Sequence, residues 1–283
     1  MKLLSSFLLL SCGGVVDSLQ QPQPQKAFSF VAKHAAAACI AGSLLLGQPS
    51  FAISDVIDGP LAKAIVDASD ATYPVLKSLT AGTVSPLATK ITSLLTKKIA
   101  ANKLTIALDS GANALLSIPD DNLEKFTATV KASYEGVSKD SCSAVPLLPV
   151  DAVSTFTSSE AFSKLDASKV SQVTKKIASL TQAVPSTAEG ICLPASKEGL
   201  EQLWIGQTEL TLKIPRAAKQ ELVSSLSGAL KSIPNAELLR ILPEAKKITK
   251  GVDAKTAKKF EMAGENLDKV LKQDARFKSL QVN

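Results

Sequence analysis

The chain is 283 residues long with a formal charge of +6, and its 32 basic side chains are interleaved with 26 acidic ones. One histidine, four cysteines and 4% aromatic residues argue against zinc chemistry, an imidazole-activated nucleophile and a base-stacking nucleic-acid surface. The mixed charge reads as a solvated exterior.

In chain order, Lys2 is the sole charge before Leu3, Leu4, Phe7, Leu8, Leu9 and Leu10, and small residues near Ser11 to Gly14 permit cleavage, the pattern of a secretory signal peptide. A Gln- and Pro-rich spacer follows. From Ser18 to Ser54 there is no Asp or Glu, the acid-poor composition of a plastid transit peptide. Lys33 and His34 then precede an apolar run over 35–47, Pro49 breaks it, and Ser50 and Ala52 are the small side chains a signal peptidase requires before a cut after Ala52. That run rises only about 20 Å as a helix against a hydrocarbon core of roughly 30 Å, so a removed signal is favoured over a membrane span. Two export steps in series imply nested membranes. The alternative is one secretory signal followed by an apolar stem in an exported protein.

Residues 1–52 thus read as a bipartite leader. Without it 231 residues remain, with a charge of +4 and no histidine, because His34 departs. The mature chain is expected to be soluble, all-α and built on an aliphatic core.

Pro60 opens a first helix with Leu61, Ile65, Ala68 and Thr72 on one face, and Tyr73 and Pro74 predict a kink or stop. Ser85 and Pro86 start a second, carrying Leu87, Ile91, Leu94, Leu95 and Ile99. Asn102 opens a third. The fourth begins at Pro119 with Asp120 and Asp121 at its positive end, buries Leu123, Phe126 and Val130, and ends at Gly136. Prolines 146 and 149 interrupt the next stretch. A fifth helix carries Val153, Phe156 and Phe162, and Asp166 caps a sixth with Val170, Val173, Ile177 and Leu180. The seventh contains Leu200, Leu203 and Trp204, the eighth starts at Pro215, the ninth at Pro234 with a kink at Pro243, and Asp253 caps a tenth.

ALLSIPDDNL at 114–123 matches ALKSIPNAEL at 229–238, an offset of 115. Short connections and this repeat predict two tandem four-helix up-and-down bundles with extra helices, the first over 53–136, a linker over 137–149 and the second over 150–283.

Cys142 precedes the fifth helix and Cys192 follows the sixth. If those helices form a hairpin, both cysteines reach the same end and a disulfide is expected; the alternative is two buried free thiols. No Walker or dinucleotide motif and no paired catalytic groups are present in the mature chain, so neither an enzyme nor a cofactor is expected. The densest basic run lies near the C-terminus. Lys246, Lys247, Lys250, Lys258 and Lys259 are either a solvated face or a salt-sensitive docking surface for an acidic partner.

The order of signal peptide, acid-poor segment and second signal resembles the leader of a nucleus-encoded thylakoid-lumen protein of a diatom or related alga. It departs from that pattern in lacking a good first cleavage site before Phe28. DASDATYPVLKSL at 67–79 and the SIPDDNLEKF helix start resemble the PsbQ-like four-helix bundles, in particular the diatom-specific extrinsic protein of that fold. The second bundle has no counterpart there. The resemblance implies a photosynthesis protein of the plastid thylakoid lumen, peripheral to the membrane. It would dock on lumenal subunits of photosystem II and support the oxygen-evolving complex without supplying metal ligands. Other readings are a secreted or lumenal helical carrier of an apolar ligand and a transient photosystem assembly factor.

Overall fold

The computed structural model describes residues 57, 59–138, 140–146, 150–187 and 190–278. The expected leader and its two cleavage sites lie outside these residues.

Helix α1 spans Gly59–Ser78, starting at a glycine with φ of 56°. It continues through Pro74, where the sequence predicts a kink or stop. Proline costs an interior helix about 3 kcal/mol, yet Val75 and Leu76 just beyond it are each 1% exposed, and their burial keeps the last turn helical. Helix α2 spans Ala81–Lys98 and starts ahead of the expected Ser85 and Pro86. The Thr80 amide donates to Thr83 Oγ1 at 3.1 Å, so this threonine pair supplies an earlier cap. Helix α3 spans Ala101–Leu116, and α4 spans Asp120–Ser133 with Asp120 and Asp121 in its first turn. Gly136, at φ of 78°, turns the chain away, as its sequence position predicts.

The described residues are mostly helical, as expected of an all-α chain, with two short strands in addition. β1, Ala144–Pro146, pairs antiparallel with β2, Gly190–Cys192, placing Val145 opposite Ile191. Between them the predicted fifth helix divides into α5, Val150–Thr157, and α6, Glu160–Ser163, where Ser159 caps the second piece by accepting from the Phe162 amide. Asp166 caps α7, Ala167–Lys176, which breaks at Ile177 before α8, Ala178–Ala183. Helix α9 spans Lys197–Lys213 under a Ser196 cap, and α10 spans Arg216–Leu230. The predicted ninth helix is fragmented into α11, Asn235–Leu239, α12, Leu242–Ala245, and a 3₁₀ turn, Ile248–Gly251. Asp253 then accepts from the Lys255 and Thr256 amides and starts α13, Ala254–Gln273, which α14, Ala275–Lys278, follows.

The four N-terminal helices take their main neighbours from beyond residue 149. α1 packs on α13 and α9, α2 on α5 and α12, α3 on α10, and α4 on α9. One contiguous core runs from Ile57 to Leu267, drawing residues from both segments, with a small satellite of Leu115, Val173 and Ile177. The described helices of segments 53–136 and 150–283 therefore interleave, packing on one another around a shared core. The reason is visible in α1. Ala64, Ala68, Ala71, Ser69 and Thr72 are buried along with its larger aliphatic side chains, so it has more than one apolar face and needs neighbours on two sides. Residues 137–149 mark a passage between segments of chain sharing a core.

Candidate functional site

The disulfide stands at the junction of the two segments. Cys142 and Cys192 are bonded with their Cα atoms 5.1 Å apart; Cys192 is fully buried and Cys142 half-buried. The β1–β2 pairing brings them together, and the Leu193 amide donates to the Ser143 carbonyl at 2.8 Å on the same side. The Tyr73 hydroxyl lies 2.9 Å from the Pro194 carbonyl oxygen and 3.1 Å from that of Ala195, donating between them and fastening the strand exit to α1. Burial, with the Glu198 charge adding, raises the Tyr73 phenol above its ordinary range.

A polar cluster continues from this point along α1 and α9. Lys197 Nζ is 3.0 Å from Asp70 Oδ1 and joins the two helices. Hydrogen bonding to Asp70 raises the lysine, whereas burial raises the Glu201 carboxyl, helped by Asp70 and Glu198. The arrangement locks helices. Among the described residues no group of three or more His, Cys, Asp or Glu side chains is placed to hold a metal ion, and no helix is long and apolar enough to cross a membrane.

Along α9, and at Tyr134 just past α4, several polar atoms are buried without a hydrogen-bond partner among the described residues: Tyr134 Oη, Gln202 Oε1, Trp204 Nε1 and Glu209 Oε1. A Cβ on Gly206 would come within 3.1 Å of Thr129 Cγ2 and 3.2 Å of Phe126 Cδ2, so glycine permits the close approach of these helices. Burial pushes the Tyr134 phenol up strongly and raises Glu209, which Lys213 opposes. Lys219 is also buried, and its Nζ donates to the Leu212 carbonyl at 3.3 Å, placing a cation at the negative end of α9.

The structure divides the five expected docking lysines. Lys258 and Lys259 are exposed on α13, and Lys250 is exposed in the 3₁₀ turn. Lys246 is exposed just ahead of that turn. Lys247 is half-buried and engaged in an ion pair: its Nζ is 2.8 Å from Glu244 Oε2, while Lys90 of α2 reaches Glu244 Oε1 at 2.9 Å. These two ammonium groups, Lys247 first, hold the Glu244 carboxyl below the usual carboxylate range. A parallel arrangement sits at Glu237, 2.9 Å from Lys98 and 3.0 Å from Arg240. Lys98 leads in lowering that carboxyl as well. Sequence reasoning missed Lys90, Lys98, Glu237 and Glu244 because 154 residues separate the partners in the first pair.

No family model, curated protein or solved structure matches the chain.

Proposed function

We propose that this is a non-enzymatic protein of the plastid thylakoid lumen that docks on the lumenal side of photosystem II and supports the oxygen-evolving complex. The observation that carries the reading is the double export signature of residues 1–52, two apolar signals separated by an acid-free spacer. The helical architecture and the disulfide are compatible with an oxidising, non-cytosolic compartment. Burial shifts Tyr134 and Glu209 upward and Lys219 downward at positions on or beside packed helices, which supports a structural role for them.

The reading includes an internal duplication. An offset of 115 carries α2 onto 196–213, where α9 runs from Lys197 to Lys213, and α3 onto 216–231, where α10 runs from Arg216 to Leu230. The two helices preceding each Ser-Ile-Pro, α3 and α10, pack on one another. These correspondences support two related halves that have interlocked.

The test is a wash of photosystem II membranes from the source organism in salt at about 1 M, where the Debye length is roughly 3 Å, followed by immunoblotting. Retention at low salt, release at high salt and a fall in oxygen evolution are expected. Recovery of the protein only in the medium or free in the lumen would overturn the proposal.

A further inference from the structure

α11 and α12 run antiparallel to α2, and the 3₁₀ turn that follows them packs on the end of α1. Gly251 lies against Ser78, Glu244 against Lys90, and Glu237 against Lys98. No Asp or Glu occurs between Asp70 and Asp109, so α2 brings Lys90, Lys97 and Lys98 with no acid of its own. The facing segment brings Arg240, Lys246, Lys247 and Lys250 against two acids, Glu237 and Glu244. Each of those glutamates is clasped between two cations, so each node keeps a net positive charge that can attract an incoming anion. Lys97 stands two turns after Lys90 on the same face of α2, and Lys97 and Lys250 make no ion pair among the described residues.

We propose that this strip, formed where α2 meets α11 and α12 and continued by the 3₁₀ turn against α1, is the docking site for an acidic protein surface. The inference rests on the docking role proposed above and, of the five lysines expected from the sequence, keeps Lys246, Lys247 and Lys250 and leaves out Lys258 and Lys259 of α13. The two clasped glutamates fix their cations at nodes eight residues apart on α2, a separation of about 12 Å along the helix. Fixed spacing favours a folded or extended polypeptide bearing carboxylates over a lipid surface, which rewards the number of cations more than their position. Leu239, 41% exposed, adjoins Arg240, whose side chain is 74% exposed, giving the apolar and guanidinium anchor that protein interfaces favour. Nucleic acid is disfavoured because Trp204 and Tyr134 are buried elsewhere, leaving no exposed aromatic on the strip for bases to stack on.

The test measures binding of a fluorescent decaglutamate peptide at low salt by anisotropy. The variants are Lys97→Glu/Lys250→Glu and, as a charge-matched control, Lys258→Glu/Lys259→Glu, all at exposed positions, with circular dichroism verifying the fold. The strip variant is expected to bind about tenfold more weakly and the α13 variant within about twofold of wild type. Equal losses in both variants, wild-type binding by the strip variant, absence of binding by the wild type, or stronger binding to vesicles containing anionic lipid would each overturn the inference. The same proteins are then added to salt-washed photosystem II membranes. If wild type fails to bind them while strip-dependent peptide binding persists, the photosystem assignment fails alone. Loss in the α13 variant only overturns the strip.

Discussion

Removing the Cys142–Cys192 bond should destabilise the protein by about 4 kcal/mol. The bond closes a loop with a sequence separation of 50, and the chain-entropy model assigns roughly that value to a loop of this length at 25 °C. The loss should fall on the unfolded chain. In the folded state the Cys192 amide still donates to the Pro185 carbonyl at 3.0 Å and the Leu193 amide to the Ser143 carbonyl at 2.8 Å, so the ladder has its own support. With a urea m value of about 2–3 kcal/mol/M, the midpoint should drop by about 1.3–2 M. The assay is a urea titration followed by far-ultraviolet circular dichroism on the oxidised protein, the reduced protein and the Cys142→Ala/Cys192→Ala variant. Alanine is chosen because Cys192 is fully buried and a serine hydroxyl there would need a partner. Superimposable native spectra with a lower midpoint are expected. A midpoint unchanged after verified reduction would refute the reasoning, since it would mean the loop is already constrained in the unfolded chain.

Two further perturbations report on packing and titration. A Cβ on Gly251 would sit 2.8 Å from Ser78 Cβ and 3.0 Å from the Ser78 carbonyl oxygen, so Gly251→Ala should cost about 1–3 kcal/mol; a calorimetric melt equal to wild type would contradict the close contact of the 3₁₀ turn with α1. Burial raises the Glu209 carboxyl in the folded state, with Lys213 opposing. A carboxyl raised on folding contributes most below its unfolded value, and that contribution is lost as pH rises through the folded value. Glu209→Gln should therefore raise the melting temperature more at pH 8 than at pH 4, and an equal rise at both would show that ionisation of Glu209 is not being resisted.

Local signals were legible where a single side chain decides an outcome. Asp166, Ser196 and Asp253 sit immediately before helices and cap them, and Gly136 ends α4 with a positive φ. The prolines misled because their cost is local and burial can outweigh it, as Val75 and Leu76 do after Pro74. The converse holds in the predicted ninth helix. There, periodicity suggested one element, but the chain must lay Glu237 and Glu244 along α2, and it does so in short pieces. The disulfide was readable from an even pair of cysteines in a chain whose leader predicts export. The strands that align it were not, since three residues carry too little alternation to register as a pattern.

Interleaving changes what the resemblance of residues 55–136 to a PsbQ-like bundle can mean for docking. In a self-contained bundle the outward faces of all four helices are available to a partner. Here α1 is covered by α9 and α13, α3 by α10, and α4 by α9, so the faces a lone bundle would offer are occupied by the second segment. The outer side of α2 escapes this only in part, because α5 and α12 lie against it. What a partner meets there is a composite strip, with lysines from the first segment and cations from the second held at common glutamates. A recognition surface of that kind exists only when both segments are folded together. On the docking role proposed above, the second segment is therefore an integral part of the site.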